Sequence, residues 1–187
     1  MSEALWLLAA QGVIGAFDTL YYHEWRARLV ARGPAVAAEL RLHALRDFLY
    51  ALLFATLPWL AWQGLWALVL VAILLAEIVL TLTDFVVEVR VRKPLGDVYP
   101  GERITHAIMG IVYGAALAHL VPVIADWWSR PTALVAAPAA VPDTVRWALT
   151  AMAAGVLTSG LRDLYAALGL PGGNWPWKMS GCGSGRW

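Results

Sequence analysis

The chain has 187 residues, 60% of them hydrophobic and 14% charged, with a formal net charge of +1. A soluble domain carries about 25% charged residues, so too few charges are present to cover a water-facing surface, and an integral membrane protein is the first expectation. The net charge of +1, with arginines in short clusters beside apolar runs rather than along one basic face, implies no nucleic-acid partner, and a single cysteine, Cys182, excludes an intramolecular disulfide or a thiolate metal cluster.

A spanning helix needs about 20 mostly apolar residues, and five segments qualify. The first, Ala4 to Tyr22, lacks a basic leader and a small-residue cleavage site, so it reads as a retained span. The second runs from Arg46 to Trp62, the third from Leu65 to Val89, the fourth from Thr105 to Ile124 and the fifth from Thr144 to Leu168. Pro58 and Pro122 fall near span ends, where a kink costs little. The stretch "HEWRARLVARGPAVAAELRLHALRD" and the stretch "VRVRKPLGDVYPGER" read as Arg-rich loops, whereas "WQGLW" has no Lys or Arg and residues 126–143 have only Arg130. Positive loops mark the cytoplasmic side. The expected topology is therefore N-terminus outside and C-terminus inside, as in a bacterial inner membrane, with tryptophans at both interfaces. Residues 171–187 read as a cytoplasmic tail, and the whole chain as one membrane domain.

Spans one and two can be laid on spans three and four. Asp18 matches Asp84, Gln11 matches Glu77, Arg26 matches Arg92, and Glu39, His43 and Tyr50 match Glu102, His106 and Tyr113. Each half is then a helical hairpin with an acid on its first helix and Glu-x-x-x-His on its second. A parallel repeat of this kind implies a pseudo-two-fold axis along the membrane normal. The expected fold is an all-α bundle of four repeat helices plus a fifth.

Charged residues inside a bilayer are costly and need partners. Glu39 and His43 are four apart and share a helix face, as do Glu102 and His106, and Asp47 follows His43 by four. So many carboxylates at one level would repel unless protons or a bound cation relieve them. Mixed imidazole and carboxylate ligands suit Fe, Mn or Zn. The set Asp18, Glu39, His43, Asp84, Glu102 and His106 resembles the di-iron carboxylate site of ferritin-like four-helix bundles, where two helices give one Glu each and two give Glu-x-x-His. Here the spacing is Glu-x-x-x-His and the other acids are Asp, and the resemblance covers those six residues. It implies two metal ions, with iron first and zinc or manganese as substitutes.

His23, Asp47 and Glu88 are further candidate ligands or orienting partners. Tyr50 and Tyr113 lie about 10 Å beyond the histidines along their helices, where they could line a substrate cavity or act in catalysis. Plainer roles stand beside these. Glu39 and Glu102 suit the first turn of a helix, the histidines could be structural, Asp18 and Asp84 could pair with Arg or His, and the tyrosines could simply pack.

The leading functional expectation is a membrane di-iron oxidase or oxygenase acting on a lipophilic small molecule, fed by a separate electron-donor protein and in contact with membrane lipids, with an oligomer compatible with the sequence. A zinc hydrolase would use the same ligands. One alternative is a haem protein with His43 and His106 as axial ligands. Another is a non-catalytic accessory or ion-pathway subunit of a membrane complex.

Overall fold

The computed structural model describes residues 1–177. Lys178, Cys182 and Arg186, and with them most of the expected tail, lie outside the described residues. The fold is mostly helical. Its elements are α1 (Ser2–Phe17), a π-helical continuation (Asp18–Ala27), a short α2 (Leu29–Arg32), α3 (Ala37–Thr56), β1 (Leu60–Gln63), α4 (Leu65–Arg92), α5 (Pro100–Trp128), β2 (Ala133–Ala136) and α6 (Asp143–Ala167). Three helical stretches are long and apolar enough to cross a membrane: Ser2–Ala27, Leu65–Leu95 and Pro100–Trp128. Helices α3 and α6 have spanning length but carry more charge, with Glu39, Arg41, Arg46 and Asp47 on α3 alone.

Two expected boundaries move. Helix α3 begins at Ala37, inside the stretch read as an Arg-rich loop. Its first turns are amphipathic, with Glu39, Leu40, His43 and Ala44 buried and Arg41 facing out, so a hydropathy reading misses them. The helix stops at Thr56 rather than continuing to Trp62, because Pro58 has no amide proton to continue the ladder. Residues expected at the end of that span form β1 instead. It pairs antiparallel with β2, from Leu60 opposite Ala136 to Gln63 opposite Ala133, and the pairing extends through Ala137 N–H to Trp59 O at 2.9 Å and Ala139 N–H to Pro58 O at 3.0 Å. The all-α expectation thus gains a two-stranded ribbon. Gly64 turns the chain from β1 into α4 at φ 59°, and a Cβ there would collide with Thr132, so only glycine fits.

Helix α5 packs on α1, while α3 packs on both α4 and α6. The buried stripe of α4 explains how the interior is divided: Leu70 and Leu74 near its start are followed by Glu77, Asp84, Glu88 and Arg92. These positions recur at helical spacing, so one face changes from apolar to ionic along its length. The apolar half joins Leu5, Leu8, Leu53, Phe54, Leu57, Leu120 and Leu149 in one core cluster. Trp62 and Trp127 belong to this core and are buried, whereas Trp66, Trp128 and Trp147 are exposed at the same end.

Gly160 lies where α6 packs tightly on α3. A Cβ there would sit 2.9 Å from the Asp47 Cβ and 3.1 Å from the Ala44 carbonyl oxygen. Gly160→Leu should therefore prise the pair apart and destabilise the protein by about 1–3 kcal/mol or more, read as a lowered midpoint of thermal unfolding in detergent. An unchanged midpoint would contradict this packing.

At the Arg-rich end the chain returns on itself. Arg162 of α6 pairs with Glu24, the Trp177 indole N–H also donates to Glu24 at 3.3 Å, and the Arg28 guanidinium lies 4.6 Å from the Trp177 ring centroid. In the loop before α5, the Val98 amide and then Arg103 stabilise the Asp97 carboxylate and hold its pKa below the usual range.

Candidate metal centre

The first ligand-bearing residue, Asp18, stands where α1 changes into a π-helix. In an α-helix a residue five positions on lies about 140° around the axis. The wider π turn brings His23 back to the face of Asp18, with Nε2 3.3 Å from Oδ2. On α4 the ordinary α spacing does the same for Asp84 and Glu88, four apart and both buried. The π segment is thus the local device that gives this helix an imidazole where α4 has a carboxylate, and such segments often mark functional sites.

His106 completes the group. Its Nε2 lies 3.1 Å from Asp18 Oδ2, and its Nδ1 lies 3.7 Å from Glu88 Oε1. Glu102, one turn earlier on α5, places Oε1 3.2 Å from His23 Nε2. Two sets have ligand atoms within 4.8 Å of one another: Asp18, His23 and His106, and Glu88, Glu102 and His106. His106 is common to both. A neutral imidazole offers one lone pair, its other nitrogen carrying a proton. The two sets can therefore combine into one candidate site, in which Asp18, His23, His106 Nε2 and Glu102 could hold an ion and Glu88 would orient His106 from behind.

The other three expected ligands form a second group. His43 Nε2 lies 3.4 Å from Asp84 Oδ2 and 3.9 Å from Glu39 Oε1, and its Nδ1 lies 3.7 Å from Asp163 Oδ2. Here the negative charge already has protein cations. Arg46 donates to Asp84 at 2.9 Å, and Arg92 donates to Glu39 at 2.7 Å and to Glu102 at 3.0 Å. The two groups touch through the rings of His23 and His43, stacked with centroids 4.6 Å apart. Asp47 lines a small cavity with Asp163 and Ser159 at the contact of α3 and α6, beside Asp18, His23 and His43.

Glu39 and Glu102 do open their helices, as acids in a first turn should, but neither makes a side-chain cap and both are fully buried. Each negative charge sits at a positive helix start, and Arg92 sits at the negative end of α4. Arg92 is the ligand-set residue that the sequence left out. It is 1% exposed, and only its match to Arg26 in the repeat pointed to it. Arg26 itself took a different course, stacking over the Tyr99 ring at 4.5 Å.

Tyr50 and Tyr113 lie away from the two groups. The Tyr50 hydroxyl donates to Glu77 Oε1 at 3.0 Å and accepts from Gln11 Nε2 at 3.3 Å. Thr81 also donates to Glu77 Oε1, at 2.7 Å. Tyr113 is buried with its ring centroid 6.1 Å from that of Tyr50.

Charge balance states what the arrangement can do. Seven carboxylates are buried among the described residues: Asp18, Glu39, Glu77, Asp84, Glu88, Glu102 and Asp163. They face two arginines, Arg46 and Arg92, and three imidazoles. Even three imidazolium ions would leave acids in excess. Uncompensated buried carboxylates are too costly to persist, so the cluster takes up protons or a cation. On the Asp18 side the guanidinium of Arg92 reaches Glu102, shared with Glu39, and no arginine pairs with Asp18 or Glu88 among the described residues. No family model, curated protein or solved structure matches the chain.

Proposed function

We propose that the chain is an integral membrane metalloprotein whose ion is held by Asp18, His23, His106 and Glu102. The observation that carries this reading is the convergence of two imidazoles on an acid that no arginine neutralises, His106 at 3.1 Å and His23 at 3.3 Å from the same Asp18 oxygen. Two nitrogens and two carboxylates suit iron, with zinc or manganese as substitutes. Iron in such a site supplies redox chemistry with dioxygen, and the apolar surroundings fit oxidation or oxygenation of a lipophilic molecule by electrons from a separate protein.

In this reading all five long helices cross the bilayer, with the ionic end on the cytoplasmic side. The cross-pairing of Asp18 with His106 and of Asp84 with His43 supports a pseudo-two-fold relation between the hairpins, since each Asp faces the histidine of the opposite half. The repeat also suggested a second ion, at His43, Asp84 and Glu39. Such an ion would compete with Arg46 for Asp84 and with Arg92 for Glu39, whereas an ion at Asp18 meets a guanidinium only at Glu102, so the arrangement favours one ion on the Asp18 side. The haem alternative has little support, because the His23 ring stacks directly on His43.

Elemental analysis of protein purified after growth with iron, zinc and manganese tests the proposal. About one transition-metal ion per chain is expected, and two would restore the di-iron form of the reading. A metal-free protein would end it, leaving protons as the neutralising charge.

A further inference from the structure

A second cavity, of about 270 Å³, lies between α4 and α5. Its mouth is flanked by Leu82, Gly110 and Gly114, all exposed. A Cβ at either glycine would meet nothing within 4 Å. The surrounding outer surface is apolar, with Val79, Val86 and Ile111 more than half exposed. In a bilayer this opening faces lipid tails. The walls are apolar except at the inner end, where Gln11, Glu77 and Tyr113 meet beside Arg46, and His106 also borders the space.

The polar end is chemically incomplete. Among the described residues, Gln11 Oε1, Glu77 Oε2, the Tyr113 hydroxyl and Arg46 Nε are buried without a hydrogen-bond partner, as is His106 Nδ1 at the border, and Gln11, Glu77 and Tyr113 are less than 10% exposed. Buried polar groups of this kind normally have partners, and leaving them bare costs free energy. At the polar end two of these groups are acceptors, Arg46 Nε is a donor, and the Tyr113 hydroxyl both donates and accepts. The complement is a hydroxyl, whose proton goes to Glu77 or Gln11 and whose oxygen accepts from Tyr113. A phosphate head would face the Glu77 carboxylate, and the charge of the Arg46 guanidinium beside it is already balanced by Asp84 at 2.9 Å and Glu77 at 3.9 Å. The volume equals that of roughly nine waters in the liquid, enough for one ring or a short chain.

We propose that this cavity binds the hydroxyl-bearing head of a neutral lipid, its apolar tail leaving between α4 and α5 into the bilayer. The proposal deepens the metalloprotein reading by naming the substrate class, and His106 on the cavity wall joins the two places. Its own evidence is the cavity, independent of the ion.

The test uses full-length protein in nanodiscs with 4-decylphenol, its methyl ether and decyl phosphate as probes, and metal content measured on the same samples. One 4-decylphenol per chain is expected, with the ether and the phosphate each binding at least tenfold more weakly. Tyr113→Phe and Glu77→Gln should each weaken the phenol about tenfold, the loss of one buried hydrogen bond. Gly110→Leu should fill the mouth and abolish binding while keeping the wild-type melting temperature and metal content. Equal binding of phenol and ether, tighter binding of the phosphate, or undiminished binding by Gly110→Leu would overturn the proposal. A metal-free protein with the expected probe pattern would leave the cavity assigned and the metal reading refuted. A metal-loaded protein indifferent to the phenol would do the reverse.

Discussion

Arg92→Met should be the most damaging single substitution in the chain. The guanidinium is buried and bonded to Glu39 and Glu102 at 2.7 and 3.0 Å. Methionine replaces its volume and flexibility but not its charge. Two carboxylates then face each other without their cation at the starts of α3 and α5. Removing one partner of a buried ion pair costs about 3–5 kcal/mol, a large share of a typical stability of about 5–15 kcal/mol. The variant should yield little folded protein, or melt far below wild type in detergent. The triple variant Arg92→Met, Glu39→Gln, Glu102→Gln should recover most of the loss, because the unmatched charges leave with the arginine. A single variant as stable as wild type would show that Arg92 is not what neutralises these acids.

His106→Ala should strip the ion, whereas His43→Ala should retain it. His106 supplies Nε2 beside Asp18, an acid that no arginine pairs with among the described residues. His43 sits between Asp84, Glu39 and Asp163, where Arg46 and Arg92 already supply positive charge. Metal content should fall below about a tenth of wild type for His106→Ala and His23→Ala. Glu88→Gln, behind the His106 ring, should weaken metal affinity by about 10–100-fold without abolishing binding, as loss of an orienting carboxylate does. Equal metal loss from His43→Ala and His106→Ala would instead favour an ion pair shared across both halves.

These two experiments separate residues that the sequence presented as equivalents. Glu39, His43 and Asp84 match Glu102, His106 and Asp18 position for position, and rare polar residues in apolar spans made that pattern visible. His23, with Glu88 in the equivalent region, was visible as a break in that equivalence, but the turn that places it was not. His23 lies five residues past Asp18, the wrong spacing for a shared α-helical face, and only the π turn brings it round. Nothing in "DTLYYHEWRA" announces that turn. Arg92 was legible as a topology signal, since a basic residue at a helix end is common, but its path inward to two acids on other helices is a tertiary fact. The starts and ends of helices failed for opposite reasons. The first turns of α3 were hidden by their polar face, and the apolar run after Pro58 looked like more helix although the proline had already ended it. Glu77 and Tyr113 could be placed on spans by periodicity, but the gap between α4 and α5 that they border depends on how far those helices splay.

The ribbon of β1 and β2 has an electrical consequence. It closes the end opposite the ionic cluster, above a layer containing Trp62, Trp127, Leu5, Leu70 and Leu120. The polar column on α4 ends at Glu77, with Leu74 and Leu70 beyond it. Set in a bilayer, such a plug insulates the site from one aqueous phase. Every proton consumed or released there would be drawn from and returned to the same compartment, and turnover would neither build nor spend a transmembrane voltage.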